Sequence, residues 1–317
     1  MNSARSGRAF LAFVIVDILF VTAIYAVLLS GGSVPDLDFA QNILLSESIV
    51  LLPILFMALI QKEKGTKIND FLGFHKIRFT TILLVILYTI LCIPLANFMN
   101  AVSMLFVDNV VGQVAGEVAD MPFWLMFLTM AMFGPMCEEL AFRGVIYHGY
   151  RRSRNLVGAV IMSALAFGIM HMNFNQLGYA FALGVMMALL MEATGSIWAT
   201  FIMHMVFNGQ SVVTLFVEKV MYGSEIFDQA DSYGTNDLLV VIGIYAVIAT
   251  VCTTLAVYLL NAIAEREGRH YFLQVVWNTR YNKAERLVTP AFVTAVVLAV
   301  IFMIAEMLLP YILYVFS

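Results

Sequence analysis

Three stretches of this sequence place carboxylate, imidazole and amide side chains inside long apolar runs. Polar and charged groups are costly to bury, so each of these residues needs a bonding partner or a chemical role. The stretches are GPMCEELAFRG (134–144), FGIMH (167–171) and HMVFN (204–208), and their notable residues are Glu138, Glu139, Arg143, Phe167, His171, His204 and Asn208.

The spacing of these residues predicts how they are arranged on helices. Glu139 and Arg143 are four residues apart, so they share a helix face and can form an ion pair. Glu138 lies about 100° further round the same helix and can point elsewhere. His204 and Asn208 are also four residues apart and therefore lie on one face.

This set of side chains suits hydrolysis by an activated water. A glutamate shielded from bulk water can act as a base, and a neighbouring histidine can orient the water. A second histidine and an amide, one helical turn apart, can donate hydrogen bonds to a developing oxyanion. One carboxylate, two imidazoles and a water also make a catalytic zinc set, and no HExxH motif decides between the two chemistries.

The composition indicates that membrane helices position these residues. The chain has 317 residues, of which 62% are hydrophobic and 12% charged, against about 25% charged in soluble domains. Apolar runs recur near the roughly 20 residues that span a bilayer, and such spans are helical. We therefore predict an all-α, polytopic membrane helix bundle of about eight to nine transmembrane helices. The predicted spans are about 9–30, 43–60, 79–107, 122–147, 156–172, 176–191, 197–217, 238–263 and 289–315.

Charged residues in the connecting segments alternate in sign. Lys219 is the only basic residue that falls among the acidic segments. The positive-inside rule therefore predicts a cytoplasmic N-terminus and an external C-terminus in a multi-pass protein of the cell membrane. The segment 264–288, which mixes charged and aromatic residues, is predicted to be a cytoplasmic interfacial loop.

Helix geometry also predicts that the three stretches meet at similar depth. Measured from a turn at about 151–155, Glu138 and His171 lie roughly 18 Å and 24 Å into the membrane. His204 lies roughly 13 Å above a turn at Gly195. Helix tilt can absorb the differences. The polar stretch that follows His171, NFNQ, is predicted to be a helix end or a re-entrant turn.

Two further carboxylates stand alone in the outer spans. Asp17 lies in the first span and Glu306 in the last. We predict that each is protonated and hydrogen-bonded to a neighbouring helix, because a lone charge at mid-bilayer costs about 2.5–3.5 kcal/mol.

The motifs EELAFR, FGIMH and HMVFN match, in order, the patterns EExxxR, FxxxH and HxxxN. In this respect the chain resembles the CAAX protease and bacteriocin-processing family, the Abi-type intramembrane proteases related to type II CAAX prenyl endopeptidases. The resemblance covers about residues 120–215, which we interpret as the catalytic core of a single membrane domain, 1–317. It implies an all-helical core of about eight spans and peptide-bond hydrolysis inside a membrane cavity.

The resemblance also implies roles for individual residues. Glu138 would be the water-activating base, assisted by His171, and His204 and Asn208 would form the oxyanion site. Supporting roles fall to Glu139, Arg143 and Phe167. We predict no cofactor, because asparagine is a poor zinc ligand, although zinc bound by Glu138, His171 and His204 stays open as the alternative.

These interpretations predict an intramembrane endopeptidase acting on a membrane-associated peptide or protein, by CAAX-type or leader-peptide processing. The expected partners are this substrate, the lipid bilayer and in some settings another membrane protein, with no nucleic acid. The alternative is a non-catalytic membrane scaffold, such as a bacteriocin-immunity protein or a regulator of a sensor kinase. A transporter is disfavoured because the sequence shows no repeated halves with broken helices.

Overall fold

A computed structural model describes residues 2–61, 67, 69, 72–229, 234–282 and 286–316. These residues form helices joined by turns and contain no β-strand. The long helices are α1 (Ser3–Leu29), α2 (Phe39–Gln61), α3 (Phe79–Ser103), α4 (Phe123–Arg151), α5 (Leu156–Ile169), α6 (Phe174–Thr194), α7 (Ile197–Tyr222), α8 (Thr235–Arg266) and α9 (Pro290–Phe316).

The predicted all-α polytopic bundle is confirmed. Within the described ranges, eight helices are long and apolar enough to cross a membrane. The exception is α5, which was predicted as a full span over 156–172 but has only 14 residues, or roughly 21 Å. His171 therefore lies in a turn between α5 and α6 rather than within a spanning helix.

Local sequence signals set the ends of the helices around the site. Asn155 and Asn173 accept hydrogen bonds from the backbone N–H groups of Gly158 and Gln176, both at 2.8 Å, and so cap the starts of α5 and α6. Gly195 adopts a left-handed conformation, with φ of +70°, where α6 ends. The stretch NFNQ, predicted to be a helix end or a re-entrant turn, instead starts a helix, because α5 already ends at Ile169 and Asn173 caps α6.

The helix α4 changes its winding along its length. Two π-helical segments, Phe127–Phe133 and Leu140–Tyr147, flank a six-residue α-helical segment, Gly134–Glu139. Such π segments are rare and often occur at functional sites. The short segment between them carries both Glu138 and Glu139.

The helices with the motifs lie at the centre of the bundle. Of the candidate spans, α4 and α6 are the most buried, whereas α1 and α8 are among the least. The central helix α4 packs against α2, α5 and α7. The outer helices α1 and α9 are joined by a hydrogen bond of 3.1 Å from the Tyr25 hydroxyl to Glu306 Oε2. The predicted bond to a neighbouring helix is thus confirmed for Glu306.

The predicted interfacial loop is described in part. It contains a short helix, Phe272–Asn278, followed by a 3₁₀ turn, Thr279–Tyr281. The Arg280 guanidinium stacks on the exposed rings of Trp277 and Tyr281, at 4.2 Å and 3.9 Å from their centroids. Four of the charged residues in the connecting segments, on which the predicted orientation depends, lie outside the described residues: Lys62, Lys64, Asp231 and Lys283.

Candidate active site

The structure brings the three motifs together around one cavity of about 320 Å³. Its walls include Glu138 from α4, Phe167 from α5, His171 from the following turn, and His204 and Asn208 from α7. Residues that are up to 70 positions apart in the chain therefore share one cavity inside the helix bundle.

The predicted ion pair behind this cavity is confirmed. Glu139 and Arg143 are both fully buried, and Glu139 Oε1 lies 3.0 Å from Arg143 Nη1. The same carboxylate oxygen lies 3.1 Å from Nδ1 of His204. The pair does not line the cavity but fixes one of the histidines that does.

Glu138 differs from Glu139 in its bonding. Both glutamates have a buried Oε2 atom with no hydrogen-bond partner among the residues the structure describes. Oε1 of Glu139 bonds two side chains, whereas Glu138, whose side chain is 9% exposed, makes no hydrogen bond to a described residue. Nε2 of His204 lies 3.9 Å from Oε2 of Glu138. His204 thus stands between the two glutamates and presents a different ring nitrogen to each.

The hydrogen bonds of the two histidines define their ring protons. An ion-paired Glu139 can only accept, so Nδ1 of His204 carries a hydrogen and Nε2 faces Glu138. His171 donates from Nδ1 to the backbone carbonyl of Phe167 at 3.0 Å. In the neutral imidazole this leaves Nε2 of His171 as an acceptor.

The ring of Phe167 supports both imidazoles. Its centroid lies 5.4 Å from that of His171 and 5.8 Å from that of His204, with edge-on geometry in both cases. The Arg143 guanidinium carbon lies 4.2 Å from the same centroid, a cation–π contact. This phenylalanine therefore connects the buried ion pair to the two histidines of the cavity.

Asn208 connects α7 to the first π segment of α4. Its Nδ2 donates to the backbone carbonyl of Met130 at 3.0 Å. An amide nitrogen carries two hydrogens, so one remains for a group in the cavity. The unusual winding of α4 thus provides the carbonyl that orients this side chain.

The sequence interpretation missed five polar residues of the cavity: Glu47 on α2, Thr129 on α4, Gln176 and Tyr179 on α6, and Ser211 on α7. A signal existed for Glu47, because it is a carboxylate within a predicted apolar span. Gln176 and Tyr179 follow the polar turn after His171 without a distinctive spacing, and only the packing of α6 places them here.

We compared the arrangement with the requirements of a zinc site. In the part of the chain that the structure describes, no three His, Cys, Asp or Glu side chains are grouped so that they could hold one metal ion. In the alternative set of Glu138, His171 and His204, the Nδ1 atoms of both histidines are bonded, to Glu139 and to the Phe167 carbonyl, and each Nε2 atom is left available to a ligand.

The fold and the cavity define a polytopic helical membrane protein with a buried polar site. Residues 120–210 match the family model described as "Type II CAAX prenyl endopeptidase Rce1-like". This segment contains all three motifs, and the predicted resemblance to CAAX-type proteases is confirmed over it.

A curated relative gives a second comparison. The chain is 31% identical over 84 residues to "Putative membrane peptidase YdiL" of Bacillus subtilis (strain 168). The similarity covers 26% of this chain and 34% of the relative, so the chain spans about a third of that protein's length. No solved structure matches the chain.

Proposed function

We propose that this protein is an intramembrane endopeptidase that hydrolyses a peptide bond of a membrane-associated protein or peptide. The observation that carries the proposal is the convergence of Glu138, His171, His204 and Asn208 from separate elements on one cavity. The similarity of residues 120–210 to a family of prenyl endopeptidases supports the same reaction class.

Glu138 and His171 activate the water in this proposal. The Glu138 carboxylate takes a proton from a water molecule, while Nε2 of His171 accepts a hydrogen bond from the water's other O–H group and orients it. The water oxygen attacks the carbonyl carbon of the scissile bond and forms a tetrahedral intermediate. No covalent bond to the protein forms.

His204 and Asn208 stabilise the oxyanion of that intermediate. Asn208 donates its second amide hydrogen, and His204 donates from Nε2 when its ring carries both protons. Glu139 holds this ring in place because its carboxylate contacts Nδ1 at 3.1 Å. Glu139 and Arg143 are therefore positioning residues.

Collapse of the intermediate completes the reaction. Glu138 returns its proton to the leaving amine nitrogen, the C–N bond breaks, and the water oxygen remains in the new carboxyl group. The base is restored without a metal or a covalent intermediate.

We further propose that the substrate enters from the extracytoplasmic side of the cell membrane. The cavity is also lined by Phe39 and Ile43, at the start of α2, and by Val110, Val111 and Val114, between α3 and α4. Both regions lie on the side away from the basic connecting segments, and the positive-inside rule assigns that side to the exterior. This access favours leader-peptide processing over CAAX-type processing of a cytoplasmic protein.

Purified protein in sealed vesicles, mixed with a panel of membrane peptides, tests the proposal. We expect the wild type to cleave at least one peptide, and E138A and H171A to lose that cleavage. Activity should survive treatment with a chelator. A peptide added outside the vesicles should be cleaved only by protein molecules whose N-terminus lies inside the vesicle. Cleavage by both variants would refute the site, and loss with chelator followed by recovery with zinc would refute the metal-free mechanism.

A further inference from the structure

A carboxylate from outside the three motifs reaches the same cavity. Glu47 of α2 lines it, and its Oε2 is shielded from solvent with no hydrogen-bond partner among the described groups. Its Oε1 lies so close to Gly134 that a Cβ at that glycine would stand 3.2 Å away. The absence of a side chain at Gly134 is what lets Glu47 approach α4.

This approach places Glu47 close to the proposed base. Gly134 and Glu138 are four residues apart, so they share a face of α4 and are separated by about one turn, or roughly 5.4 Å. The carboxylates of Glu47 and Glu138 are near enough to interact electrostatically. Both point into a cavity whose other walls are mainly apolar.

The cavity contains the carboxyl groups of Glu47 and Glu138 but no described lysine or arginine to pair with them. None of its described lining residues is lysine or arginine, and Arg143, behind the wall, already pairs with Glu139. A buried carboxylate without a partner is costly, and a cation that enters the cavity removes that cost. Glu138 also has an unbonded oxygen, but the proposed reaction uses it for water.

We propose that Glu47 binds a basic side chain, lysine or arginine, of the peptide substrate and so determines specificity beside the scissile bond. This inference rests on the proposed peptidase function. An extended peptide advances about 3.4 Å per residue, and Gly134, which Glu47 approaches, lies about one helical turn from Glu138. The basic residue is therefore expected one or two positions from the bond that is cut.

Matched peptides that differ only in charge test this role. In one kind of pair, lysine is replaced by the uncharged norleucine, and in the other, arginine is replaced by the uncharged citrulline. The replaced residue stands at the first or second position on either side of the cleaved bond. We expect the wild type to favour the charged member by about 10–100-fold in kcat/KM, the range for a hydrogen bond between charged groups. In E47Q this ratio should fall to near one, whereas cleavage of the neutral peptides should persist.

Two further variants separate specificity from folding. E306Q removes a membrane carboxyl that bonds Tyr25 and lies outside the cavity, so it should keep the wild-type ratio. G134A should lower the ratio partway, because the new methyl group displaces Glu47 by a few tenths of an ångström. Size-exclusion profiles and thermal unfolding in detergent verify that each variant is folded.

The possible outcomes lead to different conclusions. An unchanged ratio in E47Q overturns the cation site, and so does an equal loss on charged and neutral peptides, which would place Glu47 in the chemistry or the fold. If the wild type cleaves no peptide at all, the proposed function fails. Binding of the labelled lysine and norleucine peptides to wild type and E47Q, measured by fluorescence anisotropy, then still decides whether Glu47 recognises a cation.

Discussion

Glu138 and Glu192 are two carboxylates buried to nearly the same extent in different parts of the bundle. Their side chains are 9% and 7% exposed, so burial does not distinguish them. Glu192 accepts a hydrogen bond from the Tyr147 hydroxyl at 2.8 Å. It also accepts two hydrogen bonds, in bidentate geometry, from the Arg151 guanidinium. Glu138 has an oxygen without any partner among the described atoms.

The difference separates a structural carboxylate from a reactive one. Buried polar groups normally form hydrogen bonds, and Glu192 follows that rule. Its hydrogen bond with Tyr147 joins the end of α6 to α4. Glu138 departs from the rule at the wall of a cavity, where no described side chain holds its carboxylate by a hydrogen bond. The hydrogen bonding of each carboxylate therefore predicts its role better than its degree of burial does.

The largest expected effect follows from changing Glu138 to glutamine. General-base catalysis contributes about 10²–10⁴-fold, so E138Q should lower kcat by that range while thermal unfolding stays near that of the wild type. Peptide cleavage rates and unfolding curves of the same preparations measure both. A cellular phenotype that survives E138Q would favour the scaffold alternative, because a scaffold needs the fold but not the base.

A somewhat smaller effect is expected from N208A. Loss of one oxyanion donor costs about 10²–10³-fold, and it should appear in kcat with little change in KM because the interaction forms in the transition state. N208A also removes the bond to Met130, which is worth about 1 kcal/mol in stability. A rise in KM alone would contradict the oxyanion role, and steady-state kinetics distinguishes the two results.

The smallest effect on catalysis is expected from E192Q. This variant tests whether Glu192 is a structural carboxylate. It weakens the interactions of Tyr147 and Arg151, so the free energy of unfolding should fall by about 1–3 kcal/mol. The loss should lie near the lower end, because Arg151 is 44% exposed and its charge is partly screened. The rate per folded molecule should match the wild type, and a fall comparable to that of E138Q would contradict the comparison.

The sequence predicted best those contacts that lie within one helix. Glu139 and Arg143 pair as their spacing requires, since an α-helix brings residues four apart together wherever it packs. The contact of His204 with Glu139 rather than with Glu138 alone was not predicted, because it joins two helices. The short length of α5 was also missed, since apolar residues continue beyond its end.

Composition and periodicity by themselves determined that this chain is a membrane helix bundle. Lipid offers no hydrogen bonds to the backbone, so apolar runs of this length form helices, which satisfy their own N–H and C=O groups. The motifs alone also identified five residues that the cavity gathers: Glu138, Phe167, His171, His204 and Asn208. Tertiary structure decided which oxygen of which glutamate stays unbonded, since that depends on neighbours from other helices. It also brought Glu47 beside Glu138, because only the packing of α2 against the bare backbone of Gly134 sets the distance between residues so far apart in the chain.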